Sequence, residues 1–254
     1  MHATLFALTA GAAMAFAQPA PDPKAAGIGH AMMHAMGGHD AWIHARFLRF
    51  DFVVGANGHE VLSRSHLWDK KTGRYRLEDK TATGAPGVVL FNTVTRQGTA
   101  YAGGKKLEGE AAANALKASY NVFRNDSFWL TMPWLWFEPG VHLKYLGRKN
   151  LAGKPFDVVE LTFDKDMGPK PGDRYEAYVS PTTHLMEHWD YSLQTGEKGS
   201  WDWEYTATAG LELASNHTST AKHATIGMGK VQVLDKVDDT YFTDPKHGLV
   251  KGGL

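Results

Sequence analysis

The chain has 254 residues, with 27 Lys and Arg against 27 Asp and Glu, so it carries no net charge. That balance speaks against a nucleic-acid partner, for which a basic face is expected. It contains no Cys, which excludes disulfides and thiol chemistry.

Residues 3–17, ATLFALTAGAAMAFA, are apolar or small and uncharged. The run is shorter than the ~20 residues of a membrane span. It ends in Ala15-Phe16-Ala17, a pattern of signal-peptide cleavage. A secretory signal cut after Ala17 is expected, giving a periplasmic protein, although no Lys or Arg precedes Lys24. With no Cys to take a lipid, no anchor is expected. Residues 18–29 read as a Pro/Ala-rich flexible leader, 30–245 as a single domain and 246–254 as a polar tail.

His30–Ala45 is Met- and Ala-rich and predicts a helix, broken at Gly37-Gly38 and restarted with Asp40 as a cap. From Arg46 the period changes to two, with Leu48, Phe50, Phe52 and Val54 on one face. Asn57-Gly58 signals a two-residue hairpin turn. Strands are expected over 60–69, 74–78, 88–95 and 99–101. Glu110–Arg124 predicts an amphipathic helix with Ala112, Leu116, Tyr120 and Phe123 on its stripe, which must bury against the sheet. The apolar segment Phe128–Phe137 contains Pro133 and so predicts neither a central strand nor an unbroken helix. Asn125-Asp126 and Pro139-Gly140 flank it as hinges, making it a candidate moving cover. Further strands are expected over 141–148, 156–163, 173–179, 184–193, 200–207, 211–219 and 230–235. Strands joined by short turns imply antiparallel pairing.

Several segments together resemble a known group. They are AMGGHDAW and RFLRFDF near the start, LKYLGRKNLAGKPFDVVELTF, YEAYVSPTTHLMEHWDYSL and the late DDTYFTDP. Over residues 30–245 the chain resembles the periplasmic LolA/LolB-like superfamily, and within it the outer-membrane lipoprotein-sorting-like branches. The resemblance implies a mainly β, α+β fold: a strongly curved antiparallel sheet, or unclosed β barrel, with helices covering an apolar concave face that takes acyl chains. The chain departs from LolB-type members in lacking the lipid-anchor Cys, and it is longer and richer in Trp than the carriers.

The aromatics carry the functional expectation. Trp134/Trp136, Trp189/Tyr191 and Trp201/Trp203 sit at spacing two, so each pair shares a strand face. With Trp129 and Phe137 they are the candidate lining of a ligand cavity. Amphipathic indoles suit a pocket that holds a chain and hydrogen-bonds its head group. His184-Leu-Met-Glu-His188 matches H-x-x-E-H, but a metal needs the two imidazoles on one helix face. Here the motif follows a turn and enters a strand, where positions four apart lie ~13 Å from one another. His30, His34, His39 and His44 crowd the N-terminus and read as a solvated segment. Arg49, Asp51, Asp202 and Glu204 alternate with aromatics and read as outer-face charges. No catalytic constellation, metal site or cofactor motif is expected. The expected partner is an apolar small molecule or acyl chain, with an envelope protein as a further one. The alternatives are a small-substrate hydrolase or isomerase using the same cavity, or an interaction scaffold of the cell envelope.

Overall fold

The computed structural model describes residues 22–81, 83–164, 172–249 and 254. The apolar run 3–17 and its cleavage pattern lie outside the described residues. Helices α1 (Pro23–Ala35) and α2 (His39–His44) open the fold. A meander follows: β1 (Phe47–Ala56), β2 (His59–Asp69), β3 (Arg74–Lys80), β4 (Pro86–Asn92), β5 (Gly98–Ala102) and the short β6 (Lys105–Lys106). Helix α3 (Gly109–Thr131) and a 3-10 turn (Met132–Leu135) lead to a second meander. Its strands are β7 (Val141–Leu151), β8 (Lys154–Phe163), β9 (Arg174–Val179), β10 (Met186–Ser192), β11 (Lys198–Thr208), β12 (Leu211–Ser219) and β13 (Ala224–Leu234), and the short helix α4 (Thr240–Thr243) follows.

The strands form one antiparallel sheet in the order β6-β5-β4-β3-β2-β1-β13-β12-β11-β10-β9-β8-β7. The sheet curls without closing, so β6 and β7 are its edges. This is the curved, unclosed antiparallel architecture expected from the sequence. Asn57-Gly58 turns β1 into β2 with both residues at positive φ, 51° and 78°. Ala152-Gly153 does the same between β7 and β8, at 49° and 80°. Such primed two-residue turns match the right-handed twist of the strands they join.

One sheet face carries the main apolar core, with a few buried polar side chains set into it. Phe52 pairs with Met228 on β13 and Arg64 on β2, and Leu48 pairs with Trp68. Trp203 pairs with His217, and Trp189 with both Trp201 and Ala177. The helices cover this face: α3 contacts β4 and β5 near one edge and β12 beyond the middle, while α1 contacts β7 at the other edge. A helix of 23 residues is ~35 Å long, enough to cross the six strand spacings from β5 to β12, ~29 Å.

Four expectations need correction. The leader is not flexible throughout, because Pro23–Gly29 form the start of α1. Pro23 opens the helix, and the Asp22 carboxylate accepts from the amides of Lys24 and Ala25. Helix α3 does not stop at Arg124 but runs to Thr131. Asn125-Asp126 therefore lie inside the helix, and the segment after them is core, with Leu130, Met132, Trp134 and Trp136 all buried. Pro133 lies in the 3-10 turn that follows α3, and the chain stays buried on both sides of it, so a hinged cover is not what this segment forms. The segment expected as a polar tail, 246–254, contributes a buried residue: Leu249 packs with Tyr241 and Phe242 on Phe47 and Leu67 of the outer face. Arg76 holds the stretch before it, donating to the carbonyls of Tyr241, Asp244 and Pro245. Arg49 is fully buried and paired with Asp51 at 2.7 Å, rather than solvated.

Candidate functional site

Helix α3 lies across the apolar face and leaves two hollows along its length, one beside its middle turns and one toward its C-terminal end. Toward the β5 edge the hollow has a volume of about 310 Å³, with Leu77, Val89, Ala100, Leu107, Ala115 and Val122 among its walls. The other hollow lies where α3 meets the ends of β9, β10 and β11. It is an aromatic basin of about 240 Å³, formed by Phe128, Trp129, Tyr175, Trp189, Tyr191 and Trp201, with Asn125, Asp173, Leu193, Glu197 and Lys222 completing it.

Strand parity and the helix together build the basin. Tyr191 and Trp189 alternate with outward residues on β10, opposite Tyr175 and Ala177 on β9. Trp129 reaches down from α3 between the indoles of Trp189 and Trp201, 5.1 Å from each and inclined 60° and 69° to them. Tyr175 packs 4.7 Å from Trp189. Glycine at 199 is required here, because a Cβ at that position would fall 2.5 Å from the Tyr191 hydroxyl. That hydroxyl donates to Glu197, and the Lys222 ammonium donates to the same carboxylate. The Lys222 ammonium also lies over the Tyr191 ring, 5.3 Å from its centre. Asp173 is 1% exposed and accepts the backbone amide of Gln194. Burial pushes the Tyr175 phenol well up, and the nearby Asp173 charge adds to that.

The structure divides the aromatic residues expected from the sequence into three groups. Trp129, Trp189, Tyr191 and Trp201 line the basin. Trp203 lies one layer deeper, 4.7 Å from Trp189 and 4.3 Å from His217. Trp134, Trp136 and Phe137 belong to the contact with α1 and α2. Trp134 stacks on Trp42 at 5.0 Å and Phe137 on His30 at 4.2 Å. Gly29 of α1 admits Trp136 and Phe137, since a Cβ there would meet both. The sequence reading missed Asn125, Phe128, Asp173, Tyr175, Leu193, Glu197 and Lys222. The parity of β9 could have found Tyr175. Asp173, Glu197 and Lys222 lie just before a strand or in turns, where spacing carries no signal.

Two polar groups lie behind the aromatic layer. His217 is fully buried, and burial lowers its imidazole to about 3, so it is neutral near neutral pH. Asp126 of α3 meets Arg64 at 3.1 Å and His66 at 3.2 Å, and His66 in turn meets the Tyr75 hydroxyl at 2.8 Å. This carboxylate–imidazole–phenol series has the order of a proton relay. Its members Asp126, His66 and Tyr75 are at most 1% exposed, so it pins α3 to the sheet and offers no face to a substrate.

The histidine motifs do not assemble. His184 sits in a turn at φ 59°, and His188 lies on β10, held by Asp202 at 2.6 Å and Asp190 at 3.3 Å. His30 and His34 are on α1, and His39 and His44 are on α2 beyond the Gly37-Gly38 turn. Among the described residues no cluster of His, Asp and Glu could hold a metal ion. No helix among them is long and apolar enough to cross a membrane.

No protein-family model matches this chain, and no curated protein does. Solved structures do. A LolA superfamily protein from Nitrosomonas europaea is similar at 10% identity and a TM-score of 0.49, over 85% of this chain and 96% of that one. A DUF1329 family protein from Desulfovibrio piger is similar at 12% identity and a TM-score of 0.48, over 86% and 96%. At these identities the likeness concerns the course of the chain alone.

Proposed function

We propose that this chain is an exported, periplasmic binding protein of the cell envelope, which takes an acyl chain or similar apolar ligand on the concave face without covalent chemistry. The observation that carries the reading is that α3 crosses this apolar face without filling it, leaving hollows of about 310 and 240 Å³. Each methylene moved from water into such a hollow contributes ~0.8 kcal/mol, so a half-dozen methylenes give about 5 kcal/mol of driving force. The Trp129–Trp189–Trp201 contact places indoles where an arriving ligand would change their surroundings.

Titration of folded protein with decanoate and with a long-chain fatty acid, followed by indole fluorescence, tests the reading. A saturable change is expected, and Ala115→Phe should weaken it by filling the larger hollow. Absence of any saturable response would sink it. A scaffold that binds an envelope protein would then become the leading account.

A further inference from the structure

The two hollows differ in a way that apolar-ligand binding does not explain. The larger one is walled mainly by aliphatic residues and Ala, with one acid and one base, Asp79 and Lys80, that balance, whereas the basin is walled by six aromatic rings and its charges do not balance. Two carboxylates, Asp173 and Glu197, face one ammonium, Lys222, so the basin holds one net negative charge (−2 + 1). Lys222 is already committed to Glu197. Asp173 is left, buried, with a backbone amide as its hydrogen-bond partner and no cationic side chain paired with it among the described residues. A buried carboxylate without a counter-charge is costly. Ring faces attract cations, and the attraction strengthens when the site is dry. The Lys222 ammonium over the Tyr191 ring shows one cation already using this wall.

We propose that the aromatic basin is a receptor for an N-methylated ammonium group, with Phe128, Trp129, Trp189 and Trp201 around the methyls and Asp173 supplying the counter-charge. A primary ammonium brings three donors that must each find an acceptor. A trimethylammonium group brings none and suits walls made of rings. The basin's volume of about 240 Å³ is also below the ~300–1,000 Å³ typical of sites for larger ligands, so a compact group fits it. Such a group could be a free cation or the head of a choline lipid whose chains occupy the rest of the face. This proposal rests on the reading that the concave face takes a ligand, and it specifies the ligand's head.

The test is calorimetric titration of the wild-type protein with tetramethylammonium, choline, 3,3-dimethyl-1-butanol (the neutral isostere of choline), a phosphocholine lipid below its micelle concentration, and decanoate. Choline is expected to bind at least tenfold tighter than the neutral isostere. Asp173→Asn, shown to be folded by circular dichroism, should remove that preference. If the variant does not fold, the comparison of choline with its isostere in wild-type protein still decides. Choline and tetramethylammonium binding as tightly as the lipid would identify a free cation, and much tighter lipid binding a head group; either outcome supports the proposal. Equal binding of choline and its isostere would overturn it. Binding of decanoate with no response to any ammonium compound would overturn it while leaving the apolar-ligand reading intact. Silence of every ligand would remove both.

Discussion

Two carboxylates lie buried near α3, and they are treated in opposite ways. Asp126 is enclosed by Arg64 and His66, with Asn125 donating to its other oxygen. Asp173 has a single backbone amide. The first is a closed polar knot whose charge is answered within the protein, and that is what a structural pin needs. The second lies in the wall of an open basin, and its charge is unanswered among the described residues. The molecule thus separates groups that hold the fold from a group available to something outside it.

Removing a partner from a closed buried pair should be the most damaging change. Asp126→Ala strands Arg64 and His66 and is expected to cost about 3–5 kcal/mol in urea unfolding. A cost below ~1 kcal/mol would break the comparison. His217, a buried base without a charged partner, sharpens it. Its imidazole is lowered to about 3 from an ordinary 6.5. Between those values the unfolded chain binds the proton that the folded chain refuses, so stability rises with pH across that window. The contribution is complete above ~6.5 and is lost as pH falls toward 3. His217→Leu should flatten the difference in unfolding free energy between pH 7 and pH 4 by about 2–4 kcal/mol. An unchanged slope would mean that the ring finds a partner when protonated.

Lys70 is the cationic counterpart. Burial lowers it to about 7 from 10.5, and its ammonium lies against the Trp42 ring and carbonyl. The sign is the same: stability should rise from pH 7 to 10. Partial exposure reduces the effect to about 1–2 kcal/mol, which Lys70→Met should abolish. Asp173→Asn is the smallest expected effect on the fold, within ~1 kcal/mol by urea unfolding. A loss as large as that of Asp126→Ala would mean that Asp173 is another pin.

Much of the fold was legible because it is carried by local signals. Period-two apolar runs and Asn57-Gly58 fixed the first hairpin to within two residues of its observed bounds. Strand β13 was read only from Lys230, since Gly227 and Gly229 hide the alternation of Ile226 and Met228. Helix α3 was cut short because Asn125 and Asp126 are poor helix formers. The ion pairs of Asp126, made across the fold, outweigh that preference. The same limit applies to the site. Trp189, Tyr191 and Trp201 follow from parity, but Asp173, Glu197 and Lys222 meet only after the strand ends are brought to one rim.

The strand order also sets a timetable for the chain. Strands β1 and β13 are hydrogen-bonded neighbours whose paired residues lie 168 (224 − 56) to 187 (234 − 47) positions apart. The hairpins within each meander can form from nearby residues, but the seam that joins the meanders cannot be made until the last strand is available. Such long-range pairing is slow. Until it closes, β1 and the inner edge of the second meander present two unpaired strand edges, which invite pairing with other chains. A chain ending before Ala224 should therefore be soluble only as long as it is kept from its own copies. The final eleven-residue strand decides when the molecule ceases to be two sheets and becomes one.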